Sequence, residues 1–478
     1  MITFLASVAL LIVGYLVYGK LVEKVFGIQP ERPTPAYAMR DDVDYVPLDT
    51  PRAALIQLLN IAGLGPVFGP ILGALWGPAA FIWIVLGSIF AGAVHDYLCG
   101  MMSVRHGGAN MPALVGTYLG KGMRAFVNVF TVVLLILVGA VFVTGPADLL
   151  ATLTPAWMDR RFWVTVIIVY YILATLLPVD KIIGRVYPFF GALLLIMALG
   201  VGAGLLLGDK PIPELTLANL HPDGLPIWPL MFVTIACGAI SGFHATQSPI
   251  VARVVQNERN GRFVFYGMMI GEALIALVWA AAGMTLFDGP AGLKEALAQY
   301  GGPAGVVRQI AILTMGSVGS VLAILGVVVL PITSGDTAFR GARLVLAEML
   351  NMPQKEIAKR LLIAVPLFVV GFGLTMTDFD FLWRYFAWAN QTTAMIMLWA
   401  AAAYLLAQGK NHLIASVPAA FMTAVSFTYI LQAPEGFRLP TTISYPAGLA
   451  ITAAVVALFA SRVKGRHGLT PAPGTMDS

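Results

Sequence analysis

Apolar residues in this chain come in long runs, separated by short polar connections. Thirteen runs have about the 20-residue length that a bilayer core demands and are predicted as membrane-spanning helices. They are 2–19, 55–76, 79–103, 123–152, 161–179, 183–208, 227–252, 262–287, 307–333, 359–377, 380–406, 412–431 and 442–462, numbered here spans one to thirteen. The first could pass for a signal peptide, but no basic segment precedes it and no A-x-A-type site comes before Lys20. It reads as a retained span. Basic residues crowd into every second connection. Lys20, Lys24, Arg32, Arg40 and Arg52 follow span one, Arg105, Lys121 and Arg124 follow span three, and Arg253, Arg259 and Arg262 follow span seven. Spans five, nine, eleven and thirteen are followed in the same way, whereas the opposite connections hold only Arg160, Arg161, Lys210, Lys294, Arg308 and Arg438. The positive-inside rule then puts the N-terminus outside and the C-terminus in the cytoplasm.

Two runs are interrupted. Ile61–Trp76, IAGLGPVFGPILGALW, carries Gly63, Gly65, Pro66, Gly69, Pro70 and Gly73, and Cys237–Pro249 reads CGAISGFHATQSP. Proline removes a backbone donor and glycine weakens a helix. Non-helical backbone at membrane depth survives only where it is buried or lines a cavity. Spans two to six and seven to eleven form two five-helix halves, each opening with a broken helix. That pattern predicts LeuT/APC-like inverted repeats with a site near the bilayer midplane. The same glycines would also serve ordinary kinks and close helix packing. The expected organisation is 1–54, an extra helix and cytoplasmic loop; 55–208, the first repeat; 209–406, the second; and 407–478, two further helices and a tail. Gly465–Ser478 is expected to be disordered.

Composition supports an all-α polytopic membrane protein of about 13 transmembrane helices. The chain is 59% hydrophobic and only 11% charged, with mean hydropathy +0.84. Soluble domains carry about 25% charged residues. The net charge of +5 is a topology signal rather than a nucleic-acid footprint. Cys99 and Cys237 both lie in predicted spans and form no C-x-x-C.

The candidate chemistry lies inside the spans. Half-helix N-termini at the breaks offer free N–H groups to an anion such as a carboxylate. The predicted substrate residues are Gly65, Pro66, Gly69, Ser241, Gly242, His244 and Gln247, with Asn390 joining them from span eleven. Asn390 and Gln391 also read as interhelical hydrogen-bonding groups. In span three, AGAVHDY places His95 and Asp96 at membrane depth, where ionisable residues are costly and face the bundle interior. A His–carboxylate pair suits a proton relay, although a structural pair is equally compatible. A repeat offset of about 177 residues carries His95 onto Glu272. At the cytoplasmic end of span nine, LPITSGDTAFRGAR at Leu330–Arg343 offers the oxygens of Thr333, Ser334 and Asp336 to a cation, with Arg340 able to pair with Asp336 at i+4. No H-E-x-x-H or nucleophile–base pair is apparent, so neither metal, cofactor nor enzymatic activity is expected.

These segments resemble the carbon starvation protein CstA family. The likeness lies in GPVFGPILGALWG at Gly65–Gly77, GAVHDYLCGMMSVRHGG at Gly92–Gly108 and GRVYPFFGALL at Gly184–Leu194. It continues in MFVTIACGAISGFH at Met231–His244, SGDTAFR at Ser334–Arg340 and ANQ at Ala389–Gln391. The chain resembles a short form, and Phe339 stands where a Thr is usual. The resemblance implies an inner-membrane transporter of the carbon-starvation response that takes up pyruvate by proton symport. A peptide or amino-acid importer, coupled to H⁺ or Na⁺, is the alternative.

Overall fold

Each of the thirteen apolar runs is helical over most or part of its described length in the computed structural model, which describes residues 1–41, 44–176, 180–352 and 356–466. The expected disordered tail lies outside the described residues from 467 onward. Helix α1 is Ile2–Phe26, α2 Thr50–Ile61, α3 Gly65–Trp76 and α4 Ala79–Arg105. There follow α5 Met111–Leu119, α6 Lys121–Leu153, α7 Arg160–Leu176 and α8 Asp180–Leu207. The next are α9 at 227–234, α10 Gly242–Ala252, α11 Glu258–Leu286, α12 Pro290–Gln299 and α13 Pro303–Met349. The last are α14 Ile357–Thr375, α15 Phe379–Ala407, α16 Leu413–Gln432 and α17 Thr441–Arg466.

Among the described residues, 7 helices are long and apolar enough to cross a membrane, or 8 with α2 and α3 as one span bent by 50°. The chain is a multi-pass membrane protein. Over the described residues, the other five predicted spans do not each form one helix that meets both criteria. Span nine differs most from its prediction. It belongs to a 47-residue helix bent at Gly316, where φ is 63°. It runs to Met349, so the SGDTAFR segment is helical rather than a connection.

Both predicted breaks are present. The first is 62–64, and the second is 235–241, where Gly238 takes φ 92°. The half-helices that follow start at Gly65 and Gly242.

The two halves follow the same order of elements. After each break comes a helix with a π-helical stretch, Trp83–Gly92 in α4 and Arg262–Gly267 in α11. Each is followed by a short helix with proline in its first turn, α5 and α12. A glycine with positive φ, Gly120 at 101° or Gly302 at 96°, then starts the long helix α6 or α13. The packing is reciprocal: α3 lies on α11 while α10 lies on α4, and α8 lies on α13 while α15 lies on α6. The Tyr266 hydroxyl in one π stretch donates to the Ile89 carbonyl in the other at 2.8 Å.

Candidate functional site

The two breaks touch. A Cβ at Gly65 would stand 2.3 Å from Cys237 Cβ, and one at Gly69 would stand 3.2 Å from the Thr234 carbonyl. Gly238, with its positive φ, lies against Pro66 and Pro70. Glycine is required here by close approach, not only by helix breaking. Gly65, Pro66 and Gly69 therefore hold the first break against the second.

The second break is braced from α15. Asn390 Oδ1 accepts the Phe243 backbone N–H at 2.6 Å, and Asn390 Nδ2 donates to Ser241 Oγ and Cys237 Sγ, each at 3.1 Å. This amide acts as the N-cap of α10, supplied from a distant helix. Gly242 packs flat on α15, since a Cβ there would meet the Asn390 carbonyl at 2.2 Å. Ser88 of α4 donates to the Gly238 carbonyl at 3.0 Å. The start of α3, by contrast, has no side-chain cap from its N-cap residue, Leu64. Of the two helix starts predicted to meet an anion, the second already has a polar partner.

Beside this junction lies a line of four buried ionisable side chains from three helices. His95 and Asp96 are adjacent on α4, His244 is the third residue of α10, and Glu272 lies on α11. His95 Nδ1 sits 2.8 Å from Asp96 Oδ1, and His244 Nδ1 sits 2.8 Å from Asp96 Oδ2. His244 Nε2 then faces Glu272 Oε2 at 3.3 Å, out of alignment for a hydrogen bond. The side chains of all four are fully buried. His95 Nε2 and both Glu272 oxygens have no hydrogen-bond partner. No Lys or Arg among the described residues pairs with any of the four.

Sequence reading separated what the structure joins. It placed His244 with the substrate and His95, Asp96 and Glu272 with the coupling cation, yet His244 links Asp96 to Glu272. It also missed Gln57, whose Nε2 donates to Ser248 Oγ at 3.3 Å while its Oε1 is unpartnered. A glutamine inside an apolar run was the available signal. Gln247 Nε2 donates to Thr246 Oγ1 at 2.9 Å, and its Oε1 is likewise unpartnered.

The other candidate cation group lies on α13. Asp336 Oδ2 accepts from Arg340 Nη2 at 3.0 Å, the i+4 pairing foreseen. Its Oδ1 has no partner. Ser334 lies beside the first break, its Oγ 3.6 Å from where a Gly63 Cβ would stand. The side chain of Thr333 lies outside the described residues. Phe339 is core: its ring centroid is 4.9 Å from that of Phe368 and 5.8 Å from that of Tyr171. No group of three or more His, Cys, Asp or Glu among the described residues could hold a metal ion.

The profile described as carbon starvation protein CstA matches residues 1–158 and 147–290. An uncharacterized membrane protein of Haemophilus influenzae is 49% identical over 349 residues, 62% of this chain and 94% of its own. The pyruvate/proton symporter BtsT of Escherichia coli is 30% identical over 357 residues, 59% of this chain and 49% of its own. The peptide transporter CstA of the same organism is 28% identical over 341 residues, 57% of this chain and 48% of its own. The chain thus matches about half the length of these two named transporters. With a profile match over more than half of its residues, the chain belongs to the carbon starvation protein CstA family.

Proposed function

We propose that this chain is a secondary active transporter that imports a small carboxylate, pyruvate in the first instance, by proton symport. The observation that carries this reading is the buried line His95–Asp96–His244–Glu272 beside two touching helix breaks. Ionisable groups at membrane depth mark ion pathways and proton relays. Discontinuous helices are where transporters place substrate and coupling ion. The shared order of elements and the reciprocal packing support inverted repeats at 55–208 and 209–406, within about thirteen spans. A location in the inner membrane, with the N-terminus outside and the C-terminus cytoplasmic, follows from the basic connections.

The substrate carboxylate is assigned to the junction of the breaks. Its contacts come from the start of α3 around Gly65–Gly69, and from Ser241, Gly242, His244 and Gln247. Asn390 shapes this site from behind. Asp336 with Ser334 is a secondary cation group, and the one that would serve Na⁺. The relatives named peptide transporters support a second reading, peptide import on the same scaffold.

Uptake of labelled pyruvate into proteoliposomes, with pH and Na⁺ gradients imposed separately, tests the proposal. Accumulation driven by the pH gradient alone is expected. Saturable uptake of a labelled dipeptide, with no uptake of pyruvate, would replace this reading with the second.

A further inference from the structure

The line Asp96–His244–Glu272 contains two contacts between three groups. Stripped of protons, a carboxylate, an imidazole and a carboxylate offer only lone pairs to one another. Each contact therefore closes only with a proton in it. One proton fills the 2.8 Å contact between Asp96 Oδ2 and His244 Nδ1. With Asp96 ionised, that proton is on Nδ1, and His244 turns a bare Nε2 toward Glu272. A second proton, on Oε2 or on Nε2, is then needed before these atoms, 3.3 Å apart, can close into a hydrogen bond.

The two ends of the line are not equivalent. Both Asp96 oxygens are engaged at 2.8 Å by ring nitrogens, one from His95 and one from His244. Neither Glu272 oxygen has a hydrogen bond. A buried carboxylate whose one ionisable neighbour is a misaligned imidazole is poorly compensated when ionised, and a neutral acid avoids that cost. The other titratable groups within electrostatic reach are the thiols of Cys99 on α4 and Cys237 in the second break. From α2, the nearby polar side chain is Gln57, which is uncharged and bonded to Ser248.

We propose that Glu272 is the carboxylate that takes up and releases the transported proton, that His244 relays it, and that Asp96 with His95 is a positioning pair. This assignment rests on the proton-symport reading above. A proton from bulk water protonates Glu272. In the relay step the Glu272 O–H bond breaks as the His244 Nε2–H bond forms, while the Nδ1 proton stays in its contact with Asp96. The result is an ionised Glu272 and a cationic His244 beside an ionised Asp96, with protons and charge conserved. His244 is the third residue after the unwound segment 235–241, so a swing of α10 about that segment opens or closes the contact with Glu272. Proton loading is thereby tied to the conformation of the second break.

Two measurements test this on the full-length protein. Infrared difference spectra of detergent-purified protein between high and low pH are expected to show a carboxylic-acid C=O band. The band is lost in Glu272→Gln and kept in Asp96→Asn. A band kept in Glu272→Gln, or absent from the unmodified protein, overturns the assignment whether or not transport is detected. In proteoliposomes with labelled pyruvate, Glu272→Gln is expected to lose accumulation driven by the pH gradient and to keep counterflow exchange. Asp96→Asn lowers both, and Glu272→Asp recovers accumulation with a displaced pH profile. Normal accumulation by Glu272→Gln overturns the proposal. Absence of pyruvate and dipeptide uptake by the unmodified protein overturns the transporter reading, while the infrared result still decides where the proton sits. Should Glu272→Gln not fold, Glu272→Asp serves instead: a shifted band frequency with a displaced pH profile is expected, and an unshifted band with an unchanged profile overturns the assignment.

Discussion

Helix α4 carries two buried ionic clusters whose key residues, Asp96 and Arg105, are separated by roughly 14 Å at 1.5 Å per residue. At Arg105 every side-chain nitrogen is used. Nε and Nη2 grip Glu258 at 3.1 and 3.0 Å, Nη2 also reaches the Gly27 carbonyl at 2.7 Å, and Nη1 donates to the Tyr404 hydroxyl at 3.1 Å. The guanidinium lies 4.2 Å from the centre of the Phe26 ring, and Glu258 also accepts from the Gln29 backbone N–H at 2.7 Å. The ends of α1, α4 and α15 and the start of α11 are tied at one point. At Asp96 the opposite holds, with Glu272 and His95 Nε2 left open. A saturated buried pair resists rearrangement, because each move breaks several bonds at once. An unsaturated one can exchange partners at little cost. Saturation therefore separates a brace from a working site where burial and residue type do not.

The comparison is broken most directly at Glu258. Its side chain is fully buried against Arg105, so Glu258→Ala leaves an uncompensated buried charge and should cost about 3–5 kcal/mol. Glu272→Gln removes no aligned hydrogen bond and should shift stability by less than about 1 kcal/mol. Thermal unfolding of the purified proteins reads the difference, and equal losses would dissolve the distinction. Next in size is Asn390→Ala, which orphans the Phe243 N–H and should cost about 2–3 kcal/mol. Amide hydrogen exchange at Phe243 should accelerate, and Asn390→Asp, which keeps the acceptor, should restore part of the protection.

Gly65→Ala sharpens the contact between the breaks. Its Cβ would overlap Cys237, at an expected cost of about 1–2 kcal/mol. Adding Cys237→Gly should relieve most of that loss, and a double-mutant cycle measures the coupling. The smallest effect belongs to the half-exposed pair Arg124–Glu348 at 2.9 Å. Arg124→Gln should cost under about 1 kcal/mol, and salt should mask it.

Helix positions and both breaks were legible because hydrophobic length and Gly/Pro punctuation are local signals. Gly316 was not, since one glycine inside an apolar run resembles the many that merely pack. The short helices α5 and α12 were also missed. Each lies in a connection, and only their shared place in the two halves gives them weight. At the site, polar residues inside apolar runs marked His95, Asp96, His244 and Glu272 individually. Their connection was hidden, because His244 and Asp96 are 148 residues apart in the chain. The offset from His95 to Glu272 was the one long-range hint, and it pointed to a residue in the same line. Asn390 was read as a possible substrate contact, but both ends of its amide are used to hold the second break.

Phe339 offers a lesson about substitution paths. Its ring fills a hollow where Gly139 and Gly371 present bare backbone, and a Cβ at either glycine would come within 2.4 or 2.5 Å of it. Phe339→Thr would vacate the hollow, while enlarging either glycine first would collide with the ring. Only paired exchanges, small for large on one side and large for small on the other, keep the volume constant along the way. Transplanting this box into a longer relative thus means moving three positions from three helices, not one motif.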